Sequence, residues 1–322
     1  MHAAEALFPE TNTAADGTPA TNRRHLWSMG EGPMPRLLVS RVLGCLVAAT
    51  AFGILIGVTL ALPARPATAA AQAGRAVAAV HLPAEPLADR RVVLYGDSLA
   101  AQSQEFFVAK LARAGITQVT TRTFGGTAIC DWLGQMRADA RASHPDAVVV
   151  EFSGNAFTPC MKALDGRPLS GPAYFEKYAA DAAAVLDIFT PRHSIVLFAG
   201  APISRGAERS GDPTTAILHT MYAAVARSSP YGRYTDAGAS VLSGGRWTET
   251  LPCLPEEPCT GGRDANGTPV NVVRAPDGGH FCPGAPPALR GVTAACPVWD
   301  SGAWRFGNAM AAPVIGEFSA RQ

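Results

Sequence analysis

Short apolar runs alternate with longer amphipathic segments over the central part of the chain. The runs are rich in β-branched residues and predict strands at 92–95, 118–124, 146–152 and 194–199, with a weaker fifth strand near 240–242. The segments between them carry apolar residues at helical spacing and predict helices at 98–114, 127–143, 174–189 and 214–226. Strands that alternate with helices in this way form a parallel sheet with helices on both faces. We therefore expect a three-layer α/β/α fold around a five-stranded parallel sheet.

The regular pattern ends after the fifth predicted strand. Residues 243–283 contain glycines, prolines, charged residues and three cysteines, which is typical of a long functional loop, and the cysteines favour an ordered one. Residues 304–319 predict a closing helix, which Pro313 is expected to break or kink.

One long apolar run lies near the N-terminus. Residues 42–62 form a stretch of 21 residues without a charge, which is long enough for a helix to span a hydrocarbon core. Because basic residues precede this run, the positive-inside rule places residues 1–41 in the cytoplasm, where we interpret them as a disordered leader. Residues 63–87 are rich in Ala and Pro and are interpreted as a linker. The folded domain is then expected at residues 88–322, outside the cytoplasm.

Two interpretations of the apolar run stay open. A signal anchor would tether the domain to the cell membrane by a single pass, and the long leader favours it. A cleaved signal peptide would release the domain as a secreted protein, and the small residues at 67–69 supply a cleavage site. Translation from Met29 or Met34 would make the signal peptide the more natural interpretation.

Charge and cysteine content narrow the classes of partner and compartment. The formal net charge is +1, which gives no indication of nucleic-acid binding. Of seven cysteines, one lies in the apolar run, and an even number in an exported domain favours disulfides. Spacing favours the pairs Cys253–Cys259 and Cys282–Cys296, which leaves Cys130 with Cys160. The rival interpretation is a metal site, but there is no Cys-x-x-Cys and no pair of closely spaced histidines accompanies the cysteines, so we expect no metal and no cofactor.

The first predicted strand leads directly into a candidate nucleophile. The stretch 91–100 reads RVVLYGDSLA, so Ser98 lies where the strand ends and a helix begins. A serine on such a turn projects at the carboxyl edge of the sheet, near helical N–H groups that can stabilise an oxyanion. Gly-Asp-Ser also marks ordinary turns in which Asp or Ser caps a helix. The same edge is expected to carry Gly125, Gly126 and Asn155, which follow the second and third predicted strands.

A candidate base lies in the long loop. His280 occurs in DGGHFC, three residues after Asp277, and a carboxylate at this spacing can bind Nδ1–H and leave Nε2 facing the serine. The other six histidines lie in the leader, the linker or at positions typical of surface or packing residues. Without the serine, His280 would itself be interpreted as a surface residue of a plain loop.

Taken together, these motifs resemble the four blocks of the SGNH hydrolases, also called GDSL esterases. The resemblance covers residues 91–282, with Gly-Asp-Ser, Gly-Gly-Thr, Gly-Asn and Asp-x-x-His in that order. It implies Ser98 as nucleophile, His280 as general base and acid, and Asp277 as the residue that orients the histidine. It also implies an oxyanion hole formed by the Ser98 N–H, a glycine N–H from Gly125 or Gly126, and the Asn155 amide.

One position departs from the family pattern. The family often has Asp after the third-block Asn, whereas this chain has Ala156, which puts the local support of the Asn155 loop in doubt. A Cys130–Cys160 bridge would join the loops after Gly126 and Asn155 and is a hypothesis for the missing support.

The resemblance implies an exported serine esterase that forms an acyl-enzyme. Export points to acyl esters, including acetyl esters, of envelope glycans or lipids as substrates. An acyltransferase with the same site is an alternative, and so is a non-catalytic envelope-binding domain that retains the fold. Trp132 lies near the expected oxyanion loop, where it can stack on a ligand or pack in the core, and packing is favoured. No Gly-x-Ser-x-Gly, Walker or His-Glu-x-x-His motif occurs in the chain.

Overall fold

The structure is a computed structural model that describes residues 86–281 and 299–321. The predicted membrane or signal segment at 42–62, almost all of the predicted linker, and both Cys282 and Cys296 lie outside the described residues. Within the described ranges, no helix combines the length and the apolar character needed to cross a membrane.

A parallel sheet of five strands forms the centre of the fold, with strand order β2-β1-β3-β4-β5. The strands are β1 (Arg91–Gly96), β2 (Gln118–Thr123), β3 (Ala147–Glu151), β4 (Ile195–Ala199) and β5 (Gly232–Thr235). The three central strands are apolar on both faces, as expected for a sheet that helices cover on both sides. The predicted fold class is therefore confirmed.

Helices cover both faces of this sheet. They are α1 (Ser98–Arg113), α2 (Ile129–Ala142), α3 (Gly171–Phe189), α4 (Arg205–Ser210), α5 (Thr214–Arg227) and α6 (Ser301–Ser319). Alternate residues of β1 point to opposite faces, so Val92 and Leu94 pack with α1 and α6, whereas Val93 and Tyr95 pack with α2, α3 and α5. The two apolar clusters that result form the core on either side of the sheet.

The fifth strand lies earlier than the sequence pattern predicts. Residues 240–242 were expected to form it, but Ser240 lies in a 3₁₀ helix at Ala237–Val241, which Asp236 caps by accepting from the Ala239 N–H. The strand is Gly232–Thr235, whose residues are all half-buried. Because this edge strand has no apolar run, hydrophobic patterning does not reveal it.

The closing helix is also different from the prediction. It runs without interruption from Ser301 to Ser319 and contains Pro313 in its interior. The side chains of Phe306, Met310, Val314 and Phe318 are buried on one line along this helix. The packing of these side chains on both sides of Pro313 therefore offsets the loss of the backbone hydrogen bond that proline cannot donate.

The long loop contains two short antiparallel ribbons and is anchored on α6. The ribbons pair β6 (Leu242–Ser243) with β7 (Arg246–Trp247) and β8 (Thr250–Pro252) with β9 (Val270–Val272). Glu257 is buried against Arg305 of α6 and accepts a hydrogen bond from Ser301 Oγ at 2.7 Å. These contacts hold the loop in an ordered conformation, as its cysteines suggested.

Two predicted disulfides are present in the described part of the chain. Cys130, in the first turn of α2, is bonded to Cys160, which lies in a 3₁₀ turn after β3. Cys253 is bonded to Cys259 within the long loop. The first bridge joins the two loops that the sequence analysis placed beside the candidate site.

Removing the longer bridge should destabilise the fold more than removing the shorter one. Loop-closure entropy predicts about 3–4 kcal/mol for the 30-residue separation of Cys130 and Cys160, and about 2 kcal/mol for the 6-residue separation of Cys253 and Cys259. Urea unfolding of the two double Cys→Ser variants measures this difference. Equal losses in the two variants would contradict the entropic account.

Candidate active site

Ser98 is the first residue of α1 and lies at the carboxyl end of β1. Chain geometry at this junction depends on Gly96, because a Cβ there would lie 2.2 Å from the Ala100 Cβ. Asp97 caps the helix by accepting a hydrogen bond from the Leu99 N–H at 3.0 Å. Since the first N–H groups of a helix have no intrahelical partner, the Ser98 N–H remains available to bind an anion.

The structure brings Ser98, His280 and Asp277 into hydrogen-bonding contact. The Ser98 Oγ lies 3.0 Å from His280 Nε2, and His280 Nδ1 lies 2.7 Å from Asp277 Oδ2. With the proton on Nδ1, the imidazole donates to Asp277 and accepts from the Ser98 hydroxyl. These contacts have the geometry expected of a nucleophile, a base and an orienting carboxylate.

Asp277 is held as a carboxylate by the turn that contains it. Its Oδ1 accepts hydrogen bonds from the N–H groups of Gly279 at 2.8 Å and His280 at 3.0 Å. Burial raises the pKa of the Asp277 carboxyl, but the hydrogen bonds from His280 and Gly279 outweigh it and hold the pKa below its ordinary value. Asp277 is therefore ionised at neutral pH and can stabilise an imidazolium.

The turn that carries Asp277 and His280 is fixed by backbone and side-chain contacts. The Ala275 N–H donates to the His280 carbonyl at 2.9 Å, and Gly278 adopts a positive φ of 75° that favours glycine. The Phe281 N–H donates to Gln102 Oε1 of α1 at 3.0 Å. Because Gln102 lies one turn after Ser98, this contact couples the position of His280 to the helix that begins at Ser98.

Asp97 connects the nucleophile turn to the loop after β3. Its Oδ2 accepts from the Ser153 N–H at 2.8 Å, the Ser153 Oγ at 2.6 Å and the Asn155 Nδ2 at 2.9 Å. The second Asn155 Nδ2–H donates to the Thr127 carbonyl at 3.2 Å. Asn155 therefore lies beside the site as predicted, but both hydrogens of its amide are engaged within the protein.

The two candidate glycines differ in their position. A Cβ on Gly125 would lie 3.6 Å from the Ser98 Cβ, so Gly125 lies directly against the nucleophile. Gly126 has a positive φ of 78° and faces open space. Within the described residues, the Gly125 N–H has no hydrogen-bond partner. Gly125 is thus the better placed of the two to donate into the site.

Three tyrosines support the Asn155 loop, and sequence analysis missed them. Their hydroxyl groups donate to backbone carbonyls of this loop, from Tyr222 to Phe152 at 3.2 Å, from Tyr174 to Gly154 at 2.7 Å and from Tyr178 to Asn155 at 2.8 Å. They lie on α3 and α5, far from the loop in sequence. Together with the Cys130–Cys160 bridge, they support the loop in which Ala156 follows Asn155.

A second buried carboxyl lies under Asp97. Glu151, at the end of β3, has no exposed surface, and its Oε2 accepts from the Ala100 N–H at 3.1 Å. Burial and then the charge of Asp97 raise the pKa of Glu151 well above its ordinary value. Burial also raises the pKa of Asp97, while hydrogen bonds from Ser153 and Leu99 lower it in part. Asp97 accepts four hydrogen bonds whereas Glu151 accepts one, so the pair keeps its proton on Glu151 and Asp97 carries the charge.

The other residues that the sequence offered as candidates make packing contacts or hydrogen bonds within the fold. Trp132 donates from Nε1 to Thr127 Oγ1 at 3.1 Å and packs edge-on against Tyr95, which agrees with the packing interpretation. His219 contacts the Ala201 carbonyl at 2.7 Å, and His193 stacks on Tyr231. Within the described residues, the one cluster with metal-ligand geometry is Cys130, Asp131 and Cys160, and its sulfurs are joined as a disulfide.

The Glu151→Gln variant should lose the pH dependence that the buried proton causes. The unfolded state releases this proton near the ordinary value of 4.5, whereas the folded state retains it. The free energy of unfolding of the wild type should therefore fall as pH rises above that value, by up to about 1.4 kcal/mol per pH unit, until the folded group ionises. Glutamine keeps an acceptor for the Ala100 N–H and removes the titration.

Urea unfolding at about pH 5 and about pH 8 measures this effect. The stability of Glu151→Gln relative to the wild type should increase between the two pH values, whereas Glu176→Gln, on the exposed face of α3, should follow the wild type. Parallel stability curves for all three proteins would show that Glu151 ionises normally.

The four motifs that resemble those of the SGNH hydrolases lie together at one edge of the sheet. Similar solved structures include a candidate acylhydrolase from Bacteroides fragilis, with 14% identity, 71% of this chain and 87% of that chain covered, and a TM-score of 0.45. A GDSL-like lipase from Bacteroides thetaiotaomicron has 12% identity over 73% of this chain and 92% of that chain, with a TM-score of 0.43. A lipase/acylhydrolase from Enterococcus faecalis has 14% identity over 71% and 96%, with a TM-score of 0.40.

Sequence comparison gives the family directly. No protein with a curated description matches the chain. The sequence pattern of the family described as "Protein of unknown function (DUF459)" matches residues 91–285, which is more than half of the chain and includes Ser98, Asn155, Asp277 and His280. The chain therefore belongs to the DUF459 family.

Proposed function

We propose that this protein is a serine esterase that cleaves acyl esters through an acyl-enzyme. The observation that carries the proposal is the relay in which Ser98 Oγ lies 3.0 Å from His280 Nε2 and His280 Nδ1 lies 2.7 Å from Asp277. A serine hydroxyl is a weak nucleophile until a positioned base removes its proton. In the relay, Asp277 accepts a hydrogen bond from His280 Nδ1 and so keeps the proton there, which leaves Nε2 to act as the base.

The reaction follows from these contacts in two halves. In the first, Ser98 Oγ attacks the ester carbonyl carbon while His280 Nε2 takes the hydroxyl proton, and the tetrahedral intermediate expels the alcohol, which receives that proton. In the second, water gives a proton to His280 and attacks the acyl carbon, and Ser98 leaves with the proton restored. Asp277 stabilises the imidazolium present in each half. A sugar hydroxyl in place of water would give acyl transfer from the same site.

The oxyanion that forms in both halves needs donors. The N–H groups of Ser98 and Gly125 lie at the site, and we assign both to the oxyanion hole. Asn155 contributes a third donor if its longer hydrogen bond, 3.2 Å to the Thr127 carbonyl, is exchanged for the oxyanion. The 2.9 Å bond to Asp97 then keeps the amide oriented during the exchange.

We further propose that the enzyme works outside the cytoplasm on esters of envelope glycans or lipids. The disulfides Cys130–Cys160 and Cys253–Cys259 support an oxidising compartment. Two exposed aromatic side chains flank the proposed oxyanion donors in sequence, Phe124 at 68% exposure and Phe157 at 76%. Large exposed rings beside a site favour a substrate with an apolar or sugar-ring face.

The Ser98→Ala variant should lose covalent labelling and esterase activity. In the purified full-length protein, a fluorophosphonate probe should label the wild type at Ser98, and mass spectrometry of a digest should locate the adduct. Hydrolysis of p-nitrophenyl acetate should fall by about 1,000-fold or more in the variant, because the nucleophile is absent.

Ser153→Ala is the matched control for this experiment. Ser153 lies beside the site but contacts Asp97 rather than His280, so this variant should still be labelled. A folded wild type that is neither labelled nor active on short-acyl, long-acyl and acetylated-glycan esters would instead favour a binding domain. Product analysis with added sugar acceptors separates hydrolysis from transfer.

The Asn155→Ala variant should lose rate far more than stability. Loss of one oxyanion donor typically costs about 3–4 kcal/mol of transition-state stabilisation, which corresponds to roughly 100- to 1,000-fold in kcat. Ser153→Ala removes a different donor to Asp97 and should change kcat much less. Steady-state kinetics and urea unfolding measure both quantities, and equal kcat losses in the two variants would place the function of Asn155 in supporting Asp97.

A further inference from the structure

Arg274 is a buried cation beneath the turn that carries Asp277 and His280. It follows β9 in the chain, and its side chain is only 1% exposed. The guanidinium lies over the ring of Phe281, with 5.5 Å between its central carbon and the ring centroid. The residue thus lies under the turn, while Phe281 immediately follows the proposed base.

One end of this guanidinium binds the backbone of the turn. Its Nη2 donates to the Gly279 carbonyl at 2.9 Å and to the Ile203 carbonyl at 3.3 Å, with a longer contact of 3.5 Å to the Gly278 carbonyl. The Gly279 carbonyl belongs to the peptide that precedes His280. Arg274 therefore binds the peptide that precedes His280 and packs against the ring of Phe281, the residue that follows it.

The other nitrogens of the guanidinium have no partner. Nε and Nη1 are both buried and make no hydrogen bond to any part of the chain that the structure describes. Burial lowers the pKa of Arg274 to about 10, and the charge of Asp277 partly opposes this effect. Within the described residues no carboxylate accepts a hydrogen bond from Arg274, so the charge is desolvated without an ion pair.

A buried arginine in these surroundings is costly for stability. Desolvating a charge and leaving two donors unpaired both oppose folding, and an apolar side chain of similar volume often stabilises such a position. Buried charges without an ion pair break the usual rules of core packing, and such exceptions are expected at functional sites. The contacts of Arg274 lie on the turn between the proposed orienting carboxylate, Asp277, and the proposed base, His280, which indicates where that function is.

We propose that Arg274 is a positioning residue that holds His280 in register with Ser98 and Asp277. This inference rests on the proposed function, because it concerns the base of that same relay. Arg274 acts through the Gly279 and Gly278 carbonyls and through Phe281, and it touches neither the nucleophile nor the orienting carboxylate by a hydrogen bond.

Arg205 provides a matched control on the outer side of the same turn. Its side chain donates to the Pro276 carbonyl and stacks on Trp247, while its backbone N–H donates to the Gly278 carbonyl at 2.9 Å. The Trp247 Nε1–H binds that carbonyl as well, at 3.0 Å. Arg205→Met therefore removes an arginine from the turn without removing the contact to the peptide beside His280.

The test uses Arg274→Met, Arg274→Lys and Arg205→Met in the purified full-length protein. For p-nitrophenyl acetate, Arg274→Met should lower kcat by at least about tenfold and leave KM within about twofold, because the residue does not contact substrate. Labelling of Ser98 by the fluorophosphonate should slow by the same factor. The urea midpoint should be unchanged or higher. Arg274→Lys should recover part of the rate, and Arg205→Met should keep kcat within about threefold.

A second readout does not depend on catalysis. The His280 Nδ1 proton, hydrogen-bonded to Asp277, should give a downfield proton NMR signal in the wild type. This signal should persist in Arg205→Met and broaden or disappear in Arg274→Met. It tests the positioning of His280 even if the esters tried are not substrates.

Several outcomes would overturn the inference. A folded Arg274→Met with wild-type kcat and an unchanged NMR signal would do so, and so would a variant with lower stability but a normal rate per folded molecule. If Arg274→Met does not fold, the Arg274→Lys variant is measured instead. Full activity and an unchanged His280 Nδ1 proton signal in that variant would count against a positioning function of Arg274. A wild type that shows the NMR signal but no labelling would reject the proposed esterase function while leaving the geometry of His280 testable.

Discussion

The rest of the site depends on the hydrogen bonds that the Asp97 carboxylate accepts. It is completely buried and caps α1 through the Leu99 N–H, and it also accepts three hydrogen bonds from Ser153 and Asn155. One side chain thereby joins the ends of two neighbouring strands, β1 and β3. Together these hydrogen bonds stabilise an ionised group in this position, because an unpaired buried charge is strongly unfavourable. The nucleophile turn and the Asn155 loop are consequently fixed relative to each other.

The site has two halves that are stabilised in different ways. Ser98, Gly125 and Asn155 lie at the carboxyl edge of a rigid parallel sheet, where adjacent strands determine their spacing. Asp277 and His280 lie on an irregular loop, which has no ladder of hydrogen bonds to define it. Its geometry is instead defined by individual side chains, which include Gln102 and Trp247 from other parts of the chain and the neighbouring Arg274. The loop half is therefore the one in which precise geometry depends most on individual buried polar contacts.

Several buried polar groups of this protein lie around the candidate site, among them Asp97, Glu151 and Arg274. Glu151 retains a proton beneath Asp97, and Arg274 retains a charge beneath His280, although each would be easier to bury as an apolar residue. The apolar clusters on both faces of the sheet supply the stability that permits these costs. Stability and site geometry are thus largely carried by different residues.

Hydrophobic periodicity and short motifs determined much of this protein from sequence alone. The central strands, the major helices, the cysteine pairs that are described and the positions of Ser98, Asp277 and His280 all follow from local patterns, because strand ends and turn residues are local features. Strand Gly232–Thr235, continuous helix α6 around Pro313 and the tyrosines that support Asn155 did not follow. Each of these depends on contacts between residues far apart in the chain. The same reason applies to the engaged Asn155 amide and to the contact of Arg274 with the Ile203 carbonyl, since only the tertiary structure decides which buried group meets which carbonyl.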